Sequence, residues 1–434
     1  MAKTPGRVYS TIGRRLSLGY ALKRWWGRRG AGPTGKATRN ERLLYVESIF
    51  QALADAGIFS FWGVFLVRLG APEWLVGLWA SLPALSAIVV ALPAGAFVQR
   101  RSNLVKLANW GRMIFRCVTA CFCFLPYLSA SIAPYVMVGA RTLLSVPSSV
   151  VNVSVTTIWG RAIPPERRPR MLSTRWAING LFAAGLGYVF GQWLDWAAYP
   201  LNYQVLFLSG LVAGLGSVLV MSKLRLDPVE APKERPKLVL KEIPALIGAE
   251  PKFLSYVIAA FIFRLGLHLP MALYSIYQVR VLGCSDAWIG TLLTVQRLVG
   301  VASYALMARY SSRPNVHRWL WLSCVGAALY PLAYALSSTP TMLLMPAVAG
   351  GIFGSAMNVF LTDKLFEVSP ADNRPAFVAV NSLLANVAAF VAPVAGTAIL
   401  GAASIHVAFY ISVVLRAAGG LAFPLIRIGG RKAA

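Results

Sequence analysis

The sequence predicts an all-α polytopic membrane protein with twelve transmembrane helices in two six-helix pseudo-repeats. Three observations carry that prediction. First, apolar runs of about 20 residues, the length a helix needs to cross a bilayer, recur from Leu43 to Ile428. The 434-residue chain is 57% hydrophobic and only 13% charged, with mean hydropathy +0.62. Second, of 42 Lys and Arg, only Arg68 and Arg280 fall in one set of alternate connections. Six more lie well inside spans, and the remainder gather in the other connections, the adjoining span ends and the two tails. Third, the two halves echo each other at a constant offset. Barrel strands would instead read as ~10-residue segments of alternating polarity, and the sequence has none.

Residues 1–42 form a basic tail, with ten Lys or Arg and no Asp or Glu in the first 40. The tail has no apolar core of a cleaved secretory signal. Val8, Tyr9, Ile12, Leu16 and Tyr20 share one helical face, followed by Trp25 and Trp26. Three readings stay open: a flexible tail, a basic helix lying on anionic lipid, and an Arg-rich transit segment.

Six spans follow at 43–68, 74–98, 104–127, 132–158, 172–193 and 200–222. Residues 223–252, with Pro228, Pro232, Pro236 and Pro244 among alternating charges, read as a linker between halves. The second six spans are 253–279, 286–310, 317–337, 340–365, 376–399 and 403–427, leaving a short tail at 428–434. The two halves are thus 43–222 and 253–427. The basic connections, including Arg167-Arg168-Pro169-Arg170, predict that both termini are cytoplasmic in a plasma or inner membrane.

The formal charge of +27 raises nucleic acid as a partner, but its confinement to one side reports topology instead. Four of the five cysteines fall within spans, without metal or disulfide spacing. No Walker loop, HExxH or G-x-S-x-G is present, so neither a cofactor nor an enzymatic site is expected.

The internal repeat is read from register. At an offset of 213, Gly70 falls on Gly283, Gly77 on Gly290, Gln51 on Arg264, Asp55 on His268 and Arg100 on Arg313. At 206, Asn152 falls on Asn358 and Pro169 on Pro375. Repeat-built bundles are the architecture of secondary transporters, with a site at mid-membrane where the halves meet.

The loop after the second span, Gly95-Ala96-Phe97-Val98-Gln99-Arg100-Arg101-Ser102-Asn103, resembles the G-x-x-x-D-R-x-G-R loop of the major facilitator superfamily. The first Gly and first Arg are in place, while Gln99, Ser102 and Asn103 replace the Asp, second Gly and final Arg. Val138-Gly139-Ala140-Arg141 resembles the family's fourth-span arginine pattern, with Ser145 where a Gly is expected. Gly180, Gly185, Gly187 and Gly191 loosely match its glycine-rich fifth span. The resemblance implies a central cavity lined by spans 1, 4, 7 and 10. It also implies an inner-side latch at Gly95, Gln99, Arg100 and Arg101, lacking its usual carboxylate.

Glu47, Gln51 and Asp55 are spaced i, i+4, i+8 and form one polar stripe on the first span. Asp55, Arg141, Arg264 and Arg297 count to ~14–18 Å from an edge of a ~30 Å core, a depth that calls for a partner or wet cavity. Glu47 counts to only ~6 Å inside, which gives it a supporting place at the mouth. The expected site therefore comprises Asp55, Glu47, Gln51, Arg141, Arg264, His268, Arg297, Asn152, Asn358 and Asn381. Six arginines (Arg112, Arg116, Arg141, Arg264, Arg297, Arg416) against two mid-span acids point to an anionic solute clamped by Arg141, Arg264 or Arg297. Arg112, Arg116 and Arg416 are expected to pair structurally or snorkel, because the resemblance makes their spans peripheral.

The resulting expectation is a monomeric secondary active transporter of a small solute. It would work by alternating access and couple to protons at Asp55, with Arg141 as switching partner. The alternative is a non-transporting sensor or assembly factor acting through its basic tail.

Overall fold

The computed structural model describes residues 33–226 apart from Arg100 and Ser102, together with 250–310, 316–370 and 374–425. The tail readings through residue 32, most of the linker and the last residues lie outside the described residues. The first six helices are α1 (Pro33–Arg68), α2 (Glu73–Gln99), α3 (Leu104–Ala120, prolonged by a 3-10 stretch Cys121–Tyr127), α4 (Ala133–Ala162), α5 (Arg168–Trp196) and α6 (Leu201–Ser222). Next comes α7, made of Pro251–His268, Met271–Ile276 and a π turn Tyr277–Val281, then α8 (Asp286–Tyr310). They are followed by α9 (Val316–Gly326 and Leu329–Leu336), α10 (Leu344–Val368 after a 3-10 turn Pro340–Leu343), α11 (Arg374–Ala402) and α12 (Ile405–Ala422). No strand occurs among the described residues.

Local chemistry sets these boundaries. Pro134, Pro169, Pro251 and Pro340 occupy first-turn positions, where a missing N–H costs nothing. Asn103 caps α3 by accepting from the Lys106 N–H at 2.9 Å, so this departure from the family loop serves as a helix start. α1 begins ten residues before the predicted span, so 33–42 is helix rather than tail. Its Asn40 is buried and donates to the Arg225 carbonyl at 2.9 Å.

Among the described residues, nine helices are long and apolar enough to cross a membrane on that criterion alone. The exceptions are α3, α5 and α8. α3 has a short regular portion, α5 carries Arg168, Arg170, Arg175 and Asp195, and α8 carries Asp286, Arg297 and Arg309.

Within the first group, α1 packs on α5 and α6, α2 on α4, and α3 on α4 and α6. Within the second, α7 packs on α11 and α12, α8 on α10, and α9 on α10 and α12. The two groups meet where α5 lies along α8 and α2 along α11.

Gly70 and Gly283 both turn with positive φ, +83° and +59°, a conformation that disfavours any side chain. They stand 213 residues apart, and each precedes a helix opening on an acid, Glu73 or Asp286, at the same offset. The repeat read from register is thus present in the backbone.

The core divides unevenly. We call the end where α1 begins and α12 finishes the terminal face. At the opposite face one continuous apolar cluster joins both groups, from Phe65, Tyr203 and Phe207 to Tyr277, Tyr334 and Phe409. Toward the terminal face the cluster splits, one around Leu44, Ile158 and Met221, the other around Phe253, Phe360 and Phe423. The molecule is closed at the opposite face.

Polar contacts reinforce that closure. Arg68 at the end of α1 donates from Nε and Nη2 to Asp286 Oδ1 at 3.0 and 2.8 Å, and Tyr203 Oη donates to Asp286 Oδ2 at 2.9 Å. Asp195 accepts from the Asp286 N–H at 2.8 Å. Reciprocally, Arg280 at the end of α7 donates to the Ala71 carbonyl at 2.5 Å and lies 3.9 Å from Glu73. Each group sends an arginine across to the start of the other's second helix. Cys284 gives its carbonyl to Arg68 at 3.2 Å, and burial pushes its thiol up to about 11.

Candidate substrate cavity

Beneath the closed face lies a cavity of about 480 Å³, within the size range of small-molecule sites. α1 contributes Gln51, Asp55 and Phe59, α3 Arg112, Phe115 and Arg116, and α4 Asn152 and Trp159. α5 contributes Arg175, Trp176 and Asn179, and α8 contributes Arg297.

The α1 stripe faces inward, held by a ladder of arginines from α3. Arg112 and Arg116 are one turn apart, as suits neighbours on one helix face. Arg112 Nη1 lies 2.7 Å from Glu47, and Arg116 Nη2 2.7 Å from Asp55. Glu47 is 0% exposed and also receives hydrogen bonds from Arg175 and Ser217. Two guanidiniums and a hydroxyl thus saturate its oxygens, the condition under which a buried carboxylate stays charged. Asp55 differs: its side chain retains 21% exposure, and its second oxygen accepts from Gln51 Nε2 at 2.5 Å.

These contacts correct several expectations. The partner of Asp55 is Arg116, not Arg141 or Arg264. Arg112 and Arg116 pair structurally, as expected, but they also line the cavity, because α3 turns them toward α1. Glu47 is a fully buried double partner, not a group at the mouth. Arg141 lies away from the cavity, between the indoles of Trp62 and Trp79 at 5.0 and 3.9 Å from their ring centroids. Stacking there replaces the expected acid.

Arg264 also stands outside the cavity lining and donates to Asn381 Oδ1 at 2.8 Å. His268 is partly buried at the break in α7 and makes no hydrogen bond or ion pair among the described residues. Asn152 does line the cavity, while Asn358 is exposed and donates to the Gly354 carbonyl of its own helix at 3.0 Å. The loop expected to latch reads differently. Gly95 and Gln99 lie in α2, Arg100 is outside the described residues, and Arg101 stacks over Phe97 at 4.7 Å.

Arg416 needs no anion, for a reason written in two prolines. Pro270 and Pro331 lack an N–H, so the carbonyls four residues earlier, Gly266 and Ala327, lose their i+4 donor, and Ala327 keeps the Tyr330 N–H at 3.3 Å. Arg416 Nε donates to Gly266 at 3.1 Å and Nη1 to Ala327 at 2.8 Å, with Ser412 completing Gly266 at 2.6 Å. It is a structural clip, as its place on α12 led us to expect.

Arg297 lines the cavity and has no ion-pair partner among the described residues. Its one hydrogen bond among the described residues runs across the groups to Ser60 Oγ at 3.3 Å. Arg175, Trp159, Trp176 and Asn179 were not anticipated as lining residues. Arg175 falls in the first turn of the predicted fifth span, beside the basic loop, and nothing in its spacing reveals that it reaches Glu47.

A two-group helical bundle closed at one face around a central cavity defines the class of membrane solute transporters. The chain belongs to the major facilitator superfamily, whose family model matches residues 44–365. It is a transporter and not an enzyme. No curated protein sequence matches the chain. Among solved structures, a bacterial homologue of the human lysosomal transporter Spinster, in an inward-facing and unoccupied conformation, is similar with TM-score 0.63 and 15% identity, covering 92% of this chain and 98% of that one. A POT family transporter in complex with a thioalcohol-conjugated peptide is similar with TM-score 0.69 and 12% identity, covering 89% and 96%. The human organic anion transporter MFSD10 (TETRAN) is similar with TM-score 0.61 and 13% identity, covering 90% and 99%. At these identities the likeness is one of fold.

Proposed function

We propose that the chain is a secondary active transporter that moves a small anionic solute by alternating access and couples it to protons at Asp55. The observation that carries this reading is the charge on the cavity wall. Arg112, Arg116, Arg175 and Arg297 line it, with Asp55 as the lining carboxylate and Glu47 behind. Pairing uses both acids and leaves guanidinium donors for an anion, foremost those of Arg297.

Closure at the opposite face by Arg68, Asp286, Arg280 and Glu73 supports alternating access, since these contacts must open for solute to leave on that side. The confinement of basic residues to one set of connections supports a cytoplasmic side for both termini and the terminal face. Coupling follows from competition. A proton on Asp55 releases Arg116, whose guanidinium then joins Arg297 on the anion; after solute release, Asp55 loses the proton and recovers Arg116.

The test has two arms: binding of acetate and inorganic phosphate to purified protein at fixed pH, followed by thermal shift in wild type and Arg297→Gln, and anion-driven proton uptake into proteoliposomes in wild type and Asp55→Asn. Arg297→Gln should lose most of the wild-type stabilisation, and Asp55→Asn should lose the proton uptake. Equal stabilisation in wild type and Arg297→Gln would sink the anion reading, and undiminished proton uptake in Asp55→Asn would sink the coupling.

A further inference from the structure

Two large aromatic side chains on the cavity wall are neither buried nor turned to lipid. Phe59 is 48% exposed and Trp176 is 68% exposed, yet both line the same space as the arginines. Apolar surface left facing a polar cavity is unfavourable until a ligand covers it.

Phe59 is also placed where the charge is. It lies one turn beyond Asp55 and next to Ser60, the residue that receives the Arg297 hydrogen bond. Its ring is 6.0 Å from that of Phe115, tilted by 39°, and the Arg116 guanidinium sits over Phe115 at 5.5 Å. Rings and guanidiniums therefore alternate along one wall. Such a wall matches a flat π-system carrying a carboxylate, the ring packing on aromatic faces while its oxygens meet a planar fork of N–H donors.

We infer that the solute is an aromatic carboxylate, held with its carboxylate on Arg297 and its ring against Phe59 and Phe115, while Trp176 covers its outer side. This rests on the anion reading above and names the chemical class that fills the site. It excludes inorganic anions and short aliphatic acids as the preferred cargo, because neither covers the exposed rings.

The experiment is calorimetric titration of the full-length protein with 2-naphthoate, acetate, inorganic phosphate and the neutral 2-naphthamide. Naphthoate should bind about tenfold or more tighter than acetate or phosphate, and naphthamide should bind more weakly than naphthoate by a similar factor. Phe59→Ala and Trp176→Ala should erase most of the advantage of naphthoate over acetate and phosphate. Trp176→Phe should restore part of it. Naphthoate binding no tighter than acetate, or unaffected by the Phe59→Ala/Trp176→Ala double variant, overturns the inference and leaves the anion reading standing. Naphthamide binding as well as naphthoate, with Arg297→Gln changing neither, overturns the anion reading itself. Absence of binding by all four probes overturns both.

Discussion

Glu47 and Asp55 lie eight residues apart on one helix and meet opposite fates. Glu47 is sealed between Arg112 and Arg175, so removing its charge strands two buried guanidiniums, at a cost of about 3–5 kcal/mol. Glu47→Ala is therefore expected to lower the unfolding temperature sharply, and Asp55→Asn less, because the amide oxygen can still accept from Arg116, which also holds the Ala54 carbonyl at 3.2 Å. Thermal unfolding of the two variants in one detergent checks this, and an equal loss would contradict the division. Arg416 makes a similar prediction from a different cause. Arg416→Met removes a charged donor from the Gly266 and Ala327 carbonyls, which keep Ser412 Oγ and the Tyr330 N–H, so stability should fall by about 1–3 kcal/mol in all while anion affinity is retained. The polar stripe itself is legible in the sequence, because i, i+4 spacing is a property of the helix alone. The identity of each partner is not, because it depends on how α3 is rotated about its axis, and that rotation is set by packing on α4 and α6.

At the level of elements, the span pattern and the repeat are readable because hydropathy and glycine register are local signals. Eleven of the twelve predicted spans begin within about four residues of the observed helices, the usual scale of boundary error, with α1 the outlier. The seams are less readable. At α2–α11 a Cβ on Gly77 would come within 2.5 Å of Thr397 Oγ1, and at α5–α8 one on Gly290 would come within 2.5 Å of the Gly187 carbonyl oxygen. Gly290 and Gly77 are repeat mates, so the close approach is built into both seams. Gly290→Val is expected to wedge α5 from α8 and weaken closure. Asp286→Asn should do so without bulk, by freeing Arg68 and Tyr203. Spin labels on Ser129 and Ser338, both exposed at the closed face, would read the change as a longer inter-label distance in either variant. Unchanged distances in both would mean that these contacts do not hold the face shut.

For the whole molecule, one continuous apolar cluster joins the two groups at one face and divides into two at the other. In the proposed cycle, binding at the arginine wall, release of Arg116 by protonation of Asp55 and opening of the Arg68–Asp286 face follow one another. The most direct test is uptake of radiolabelled 2-naphthoate into proteoliposomes, with and without an imposed pH gradient, comparing wild type with Asp55→Asn. Uptake should be accelerated by the gradient in wild type, whereas Asp55→Asn should bind the anion yet show no gradient dependence. Gradient-driven uptake that persists undiminished in Asp55→Asn would contradict the account.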